Sequence, residues 1–259
     1  MVVIRNYLAM WLFVLIANTV TSVESRKILN IAVILPDNNA YPFSIDRVKP
    51  GLSIAVKTIK TLELLSDNYD LHVNYADSRC SFVYPINEAI NFYVRKELDV
   101  IFGPFCDYAA APLARQITFW SIPMLTAGAM AADFARYRLL HYPLLTRIGP
   151  NFISLTQFLS TMLRGYKWNI VQLLYDPYGQ GYFEDKFCHI ASDSIHYGLK
   201  DEFKAPYQKF EKTEDLLTEL GTVLGVNVAV PSQSTSCAMR TTMKLFYSKK
   251  SVLIWPLLS

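Results

Sequence analysis

Short apolar runs rich in β-branched residues alternate with longer stretches whose apolar residues recur at helical spacing, and this alternation restricts the fold more than any other feature of the chain. The first run, Ile28 to Leu35, is broken only by Asn30; Ile31-Ala32-Val33-Ile34-Leu35 is its centre and Pro36-Asp37-Asn38-Asn39 closes it. A run that lacks a polar face suits a parallel strand covered on both sides. Ile45 to Leu65 then carries Val48, Leu52, Ala55, Val56 and Ile59 at helical spacing. Strands are expected at Asp70–Tyr75, Val100–Phe102, Ile122–Leu125 and Leu145–Ile148, and helices at Pro85–Lys96 and Ala109–Trp120. Such alternation predicts an α/β fold, a parallel sheet wrapped by helices on both faces.

Gly149-Pro150 is the best candidate boundary, because the alternation restarts beyond it. A helix at Ile153–Arg164, a strand at Ile170–Tyr175, a turn-rich loop at Asp176–Gln180 and a helix at Phe183–His196 follow. Phe203–Phe210 and Val226–Val230 read as strands and Glu214–Leu224 as a helix. Past Val230 the pattern degrades into a loop (Pro231–Ser236), a segment that can be drawn as a helix (Ala238–Tyr247) and a short apolar end, Val252–Leu258. Two α/β lobes result, 26–150 and 151–259. The second has few strands for its core, as in a truncated or alternatively ended product.

The first 25 residues read as an address. Arg5 precedes the apolar stretch Tyr7 to Val20, and small or neutral residues follow at Val20-Thr21-Ser22 and Val23-Glu24-Ser25. That order is what a secretory signal peptide needs, and the stretch is short for a bilayer span. An uncleaved anchor is the competing reading. No later stretch is long enough to span, so the chain is expected to be secreted or on the extracellular face of the plasma membrane, held there only through a longer form.

Export gives the four cysteines, Cys80, Cys106, Cys188 and Cys237, an oxidising setting in which an even count suggests two disulfides. Their spacing favours local pairing, first with second and third with fourth. A zinc site is disfavoured because no Cys-x-x-Cys occurs and only His189 adjoins a cysteine. No Asn-x-Ser/Thr sequon is present. With 52% hydrophobic and 18% charged residues the composition is globular, and a net charge of +3, with no basic run denser than Arg26-Lys27 or Lys249-Lys250, speaks against nucleic acid.

Catalytic constellations are scarce. His72, His141, His189 and His196 lack metal-ligand spacing, and the pair His189 and His196 on one expected helix reads more simply as packed or solvated. Neither a Gly-x-Ser-x-Gly elbow nor a phosphate loop occurs, and the carboxylates are scattered. The expectation is a protein without catalytic residues, organic cofactor or metal.

The informative stretch is Gly103-Pro-Phe-Cys-Asp-Tyr-Ala-Ala-Ala-Pro-Leu-Ala-Arg115, where a strand's carboxyl end opens into a helix. Open α/β sheets bind ligands at that position, and the amides of a helix start favour an anion. Tyr108 offers an amphipathic ring at the mouth of such a site. Together with Leu35-Pro36, Tyr41-Pro-Phe-Ser44, Arg47-Val48, Asp77-Ser78-Arg79-Cys80 and Trp120-Ser-Ile-Pro-Met-Leu-Thr-Ala-Gly-Ala129, this stretch resembles natriuretic peptide receptors, the clearance type above all, from about Ile28 to Leu224.

The resemblance implies a two-lobe fold like type I periplasmic binding proteins, a homodimer formed through the first lobe, and one cyclic peptide hormone bound between protomers. It implies a Cys80–Cys106 disulfide and a buried chloride near Ser78, Phe105 and Cys106, where Phe105 stands in place of a smaller residue. It carries ligand contact to Tyr108 in the first lobe and to Tyr175, Tyr207 and Phe210 in the second. His189 and Ile190 replace an aromatic pair of the family, and Lys209 stands where one cyclase-coupled receptor has an acidic residue. Cys188 matches a half-cystine whose partner would be Cys237, slightly displaced. Two other readings remain open: a receptor domain for an amino-acid-like small molecule, whose cleft would need Ser/Thr and Arg side chains, and a secreted decoy or non-functional fragment.

Overall fold

β1 (Lys27–Leu35) lies inside a five-stranded, wholly parallel sheet of order β2-β1-β3-β4-β5. Its companions are β2 (Tyr69–Asp77), β3 (Val100–Phe102), β4 (Met124–Thr126) and β5 (Leu145–Arg147). The computed structural model describes residues 26–168, 171–203, 205, 207–209, 228–229 and 250–253. The expected signal peptide, Phe210, Cys237 and the helices expected at Glu214–Leu224 and Ala238–Tyr247 lie outside the described residues.

Alternate side chains of β1 enter different cores, which is why the run has no polar face. Ala32 and Ile34 join Ile101, Met124, Leu113 and Ile117 on one side of the sheet. Ile31, Val33 and Leu35 join Phe105, Phe152 and Phe187 on the other. Full burial of aliphatic side chains of this kind contributes roughly 1.5–3 kcal/mol each. Asn30, the polar interruption, is matched by Asp99: its main-chain N–H and side-chain amide both donate to Asp99 Oδ2, at 2.7 and 3.2 Å.

The helices come where the spacing predicts them. α1 (Ile45–Thr61) lays Val48 and Leu52 against the second core, while α2 (Tyr84–Val94) and α3 (Asp107–Trp120) cover the first. Two short turns of helix follow, α4 (Asp133–Arg136) and α5 (Arg138–His141). β4 starts at Met124, two residues later than expected, because Pro123 has no N–H to pair; its carbonyl accepts from Ile101 N–H at 3.0 Å.

The second lobe holds a parallel sheet of order β7-β6-β9-β8: β6 (Val171–Tyr175), β7 (Tyr207–Lys209), β8 (Val228–Ala229) and β9 (Lys250–Leu253). β9 falls where the sequence suggests only an apolar end; four residues carry no periodicity of their own, and pairing with β6 and β8 makes them a strand. α6 (Phe152–Gly165) is capped by Asn151, whose Oδ1 accepts from Ser154 N–H at 2.9 Å. α7 (Phe187–Leu199) begins later than expected, because the backbone at Lys186 is left-handed (φ 55°). Leu159 and Leu163 of α6, Ile195 and Leu199 of α7, and Val171 and Leu173 of β6 form a third core. Among the described residues no helix is long and apolar enough to cross a membrane.

Cys80 and Cys106 are disulfide-bonded, 5.5 Å apart at Cα and 26 residues apart in sequence, and Cys188 is also in a disulfide. Closing a loop of that length stabilises by roughly 3–4 kcal/mol through the unfolded state. Replacing both Cys80 and Cys106 by Ser should lower the midpoint of thermal unfolding by about 10 °C, as followed by circular dichroism.

Candidate functional site

The loop 103–106 leaves the carboxyl end of β3 and crosses the sheet edge to α3. Gly103 is required at its start: φ is +91° and a Cβ would lie 2.4 Å from the Ile34 carbonyl oxygen. The Gly103–Pro104 peptide is cis. Thr126 Oγ1 donates to the Pro104 carbonyl at 2.5 Å and accepts from Gly128 N–H at 3.0 Å, which binds this loop to the end of β4. Gly128 lies against the same loop so closely that a Cβ would fall 1.7 Å from the Phe105 carbonyl oxygen.

Phe105, 2% exposed, stacks on Phe43 at 4.5 Å and meets Phe183 edge-on at 5.1 Å. Phe183 meets Phe187 at 4.8 Å, and Phe187 meets Phe152 at 5.5 Å. A file of rings therefore runs from the first lobe into the second. Ser78 is fully buried at the end of β2; its N–H donates to the Leu35 carbonyl at 2.9 Å and its Oγ accepts from Cys80 N–H at 3.3 Å. The disulfide brings Cys106 to the same edge. No acceptor for the Phe105 and Cys106 amide hydrogens is found among the described residues. Buried amides without a protein partner beside a serine hydroxyl fit a small anion such as chloride.

The first turn of α3 is filled from within the chain. The Glu184 carboxylate, 1% exposed, accepts from Asp107 N–H through Oε1, so the helix amides expected to hold an external anion face a side chain of the second lobe. Asp107 itself is buried and accepts from the Met130 and Ala131 amides, both at 2.7 Å. Burial pushes the Asp107 carboxyl up to about 6, against the pull of those amides and of Arg147. Burial, and then the Asp107 charge, raises Glu184 well above the usual carboxylate range. Among the described residues Glu184 Oε2 has no hydrogen-bond partner.

Beside this pair opens a cleft of about 570 Å³ between α3, the segment 131–142 and α7. Tyr108, Ala111 and Arg115 line it from α3; His189, Asp193 and Tyr197 line it from α7. Both sets repeat at helical spacing (i, i+3, i+7 and i, i+4, i+8), and that spacing is the sequence signal that marks Arg115, Asp193 and Tyr197. Arg115 lies over the Tyr142 ring at 5.4 Å, Arg136 over Tyr197 at 5.6 Å and Lys186 over Tyr108 at 5.9 Å. Tyr108, which lines the cleft, is 42% exposed.

Tyr175 lies elsewhere. It is 4% exposed and sits behind His189, its hydroxyl 3.0 Å from His189 Nδ1 and the rings stacked at 5.7 Å. Tyr207 adjoins Tyr175 at 6.2 Å and packs on His196 at 4.5 Å, and His196 Nδ1 is 2.7 Å from the Ala205 carbonyl oxygen. On the second-lobe side the cleft is thus lined by His189, Ile190, Asp193, Ser194 and Tyr197, and Tyr175 and Tyr207 are not among its lining residues. A second cavity, of about 200 Å³, opens at the carboxyl ends of β1, β3 and β4 and is lined by Val33, Leu35, Phe43, Phe102, Phe105 and Leu125 among others.

Two parallel sheets with helices around them, and a cleft between them, define a bilobal ligand-binding domain of the periplasmic-binding-protein type. An ABC transporter substrate-binding protein from Desulfitobacterium hafniense has the same fold, with a TM-score of 0.59 over 79% of this chain and 58% of its own, at 15% identity. Residues 47–184 match the family described as receptor family ligand binding region, and the chain belongs to that family. Among its relatives, the atrial natriuretic peptide receptor 3 of Bos taurus is 29% identical over 198 residues, covering 73% of this chain and 35% of the relative. The atrial natriuretic peptide receptor 2 of Rattus norvegicus is 33% identical over 141 residues, 54% of this chain and 13% of the relative. The chain thus spans about a third of the length of the first of these receptors.

Asp107→Ala should cost about 2–5 kcal/mol, since two buried amides lose their acceptor, and Asp107→Asn, which keeps one carbonyl oxygen, should cost less. Urea denaturation of the two variants beside the parent chain measures both.

Proposed function

We propose that this chain is the extracellular hormone-binding part of a natriuretic-peptide-type receptor, without catalytic activity of its own, and that the cleft beside Tyr108 takes a peptide. The observation that carries this reading is the cleft's make-up. Tyrosines 108, 142 and 197, the guanidinium groups of Arg115 and Arg136, and the carboxylates of Asp133 and Asp193 line one open space. Rigid amphipathic rings and arginines are the side chains that dominate peptide and protein recognition, and charges of both signs suit a polar peptide.

A homodimer formed through the first lobe is part of this proposal. Val94 on α2 and Phe119 on α3 are 73% and 86% exposed, and Tyr93 stacks on Trp120 at 4.5 Å between them. Apolar side chains clustered on two packed helices favour a second copy as cover. Chloride held by Ser78 and the amides of Phe105 and Cys106 is likewise proposed, on the unpartnered N–H groups there; it would fix the loop without taking part in any reaction.

The amino-acid-like reading has less support. The cavity at the carboxyl ends of β1, β3 and β4 is walled mainly by aliphatic and phenyl side chains, with Thr126 its one hydroxyl, and no arginine lines it to meet a carboxylate. Calorimetry decides between the readings and tests the decoy or non-functional alternative. Atrial natriuretic peptide should bind the secreted chain, and Tyr108→Ala should weaken it at least tenfold, about 1.4 kcal/mol. A chain that binds no natriuretic peptide yet is stabilised by a free amino acid would overturn the assignment. Exchanging chloride for gluconate should lower the thermal unfolding midpoint; an identical midpoint in both salts would remove the chloride.

A further inference from the structure

Glu184 belongs to the turns that precede α7, yet its carboxyl lies across the lobe junction on the first amide of α3. Its neighbours reach over the same junction. Phe183 packs edge-on against Phe105, Lys186 Nζ lies 5.9 Å from the centre of the Tyr108 ring, and Ser194 Oγ, further along α7, accepts from Ala132 N–H at 3.2 Å. A few residues after Glu184 the same segment delivers His189 to the opposite wall of the cleft. We propose that Glu184 is a positioning residue for the peptide cleft, a clasp that fastens the wall carrying Tyr108 to the wall carrying His189. The inference rests on the peptide reading for its consequence, though not for the clasp itself.

The clasp works with a neutral carboxyl. Glu184 is almost wholly buried, its Oε2 lacks a partner, and Asp107 is the nearest charge. A buried, ionised oxygen in that place would be uncompensated, whereas a neutral carboxylic acid brings no second charge beside Asp107. The groups around the pair settle which acid holds the proton. Asp107 has two amide donors and Arg147 of β5, while Glu184 faces Asp107 and Tyr108 on α3 and, in its own segment, Asp185 with Lys186 close by. Asp107 therefore carries the charge and Glu184 the proton. The folded values of both acids lie above their ordinary ones, so the stabilisation is full below the ordinary carboxylate range and is lost as pH rises through the folded values, first that of Asp107 at about 6 and then that of Glu184. Once Glu184 has ionised as well, two buried carboxylates repel and the clasp slackens. Glutamine, neutral and still a donor, imitates the protonated acid.

The test is hydrogen exchange of the α3 amides, corrected for intrinsic rate, together with affinity for atrial natriuretic peptide, between pH 6 and 8.5. Both are read on the full secreted chain, on Glu184→Gln and on Glu184→Ala. The parent should lose protection of residues 107–111 and affinity as pH rises. Glu184→Gln should keep both and flatten the pH dependence, and Glu184→Ala should exchange at least tenfold faster and bind at least tenfold more weakly at pH 6. If Glu184→Ala does not fold, the flattened profile of Glu184→Gln still decides. Parent-like exchange in Glu184→Ala, or a Glu184→Gln profile as steep as the parent's, overturns the clasp. The expected exchange pattern in a chain that binds no peptide would uphold the clasp and discard the peptide reading alone.

Discussion

The packing of Phe105 is the constraint on which the rest of the molecule depends. Its ring is held between Phe43, at the entry to α1, and Phe183, at the approach to α7, so one side chain joins the core under β1 to the helices α6 and α7 of the second lobe. Such a ring can enter only if the backbone around it comes unusually close to its neighbours, and Gly103 and Gly128 supply that closeness. Thr126 then ties the loop to β4. Interiors are close-packed, so a ring in this position transmits any displacement of one lobe to the other rather than absorbing it.

Polar groups at the same junction set its geometry more finely. The ring file brings the lobes together without direction, while Glu184 on the start of α3 and Ser194 on the Ala132 amide fix their register. The cleft that results has one wall on α3 and one on α7, both rigid helices, and its arginines are each laid over a tyrosine. Side chains already stacked in this way lose less freedom when a ligand arrives, which favours binding.

Much of this was legible beforehand, and the reasons are physical. β1 could be read because burial on two faces leaves a continuous apolar run, and α3 because its alanines repeat at helical spacing behind a turn. The disulfide of Cys80 and the loop between β3 and α3 followed from motif and resemblance. What escaped was everything decided at long range. β9 is a strand only by virtue of its neighbours. Tyr175 alternates correctly for a strand in its own stretch of sequence, yet nothing local says that its ring faces inward behind His189. Glu184 looks like any carboxylate in a polar turn, and its burial depends on a helix 77 residues away in the chain.

The disulfide anchors this arrangement at an unexpected place. It does not cross the sheet that forms the first lobe's core; it ties the end of β2 to the residue that follows Phe105. In a reducing medium the strands would keep their ladder of main-chain bonds and their aliphatic packing, and the loop bearing the shared ring would be the first to move. Loss of oxidising conditions would therefore show itself as slack between the lobes, with the receptor-like shape fading while each half still looked folded.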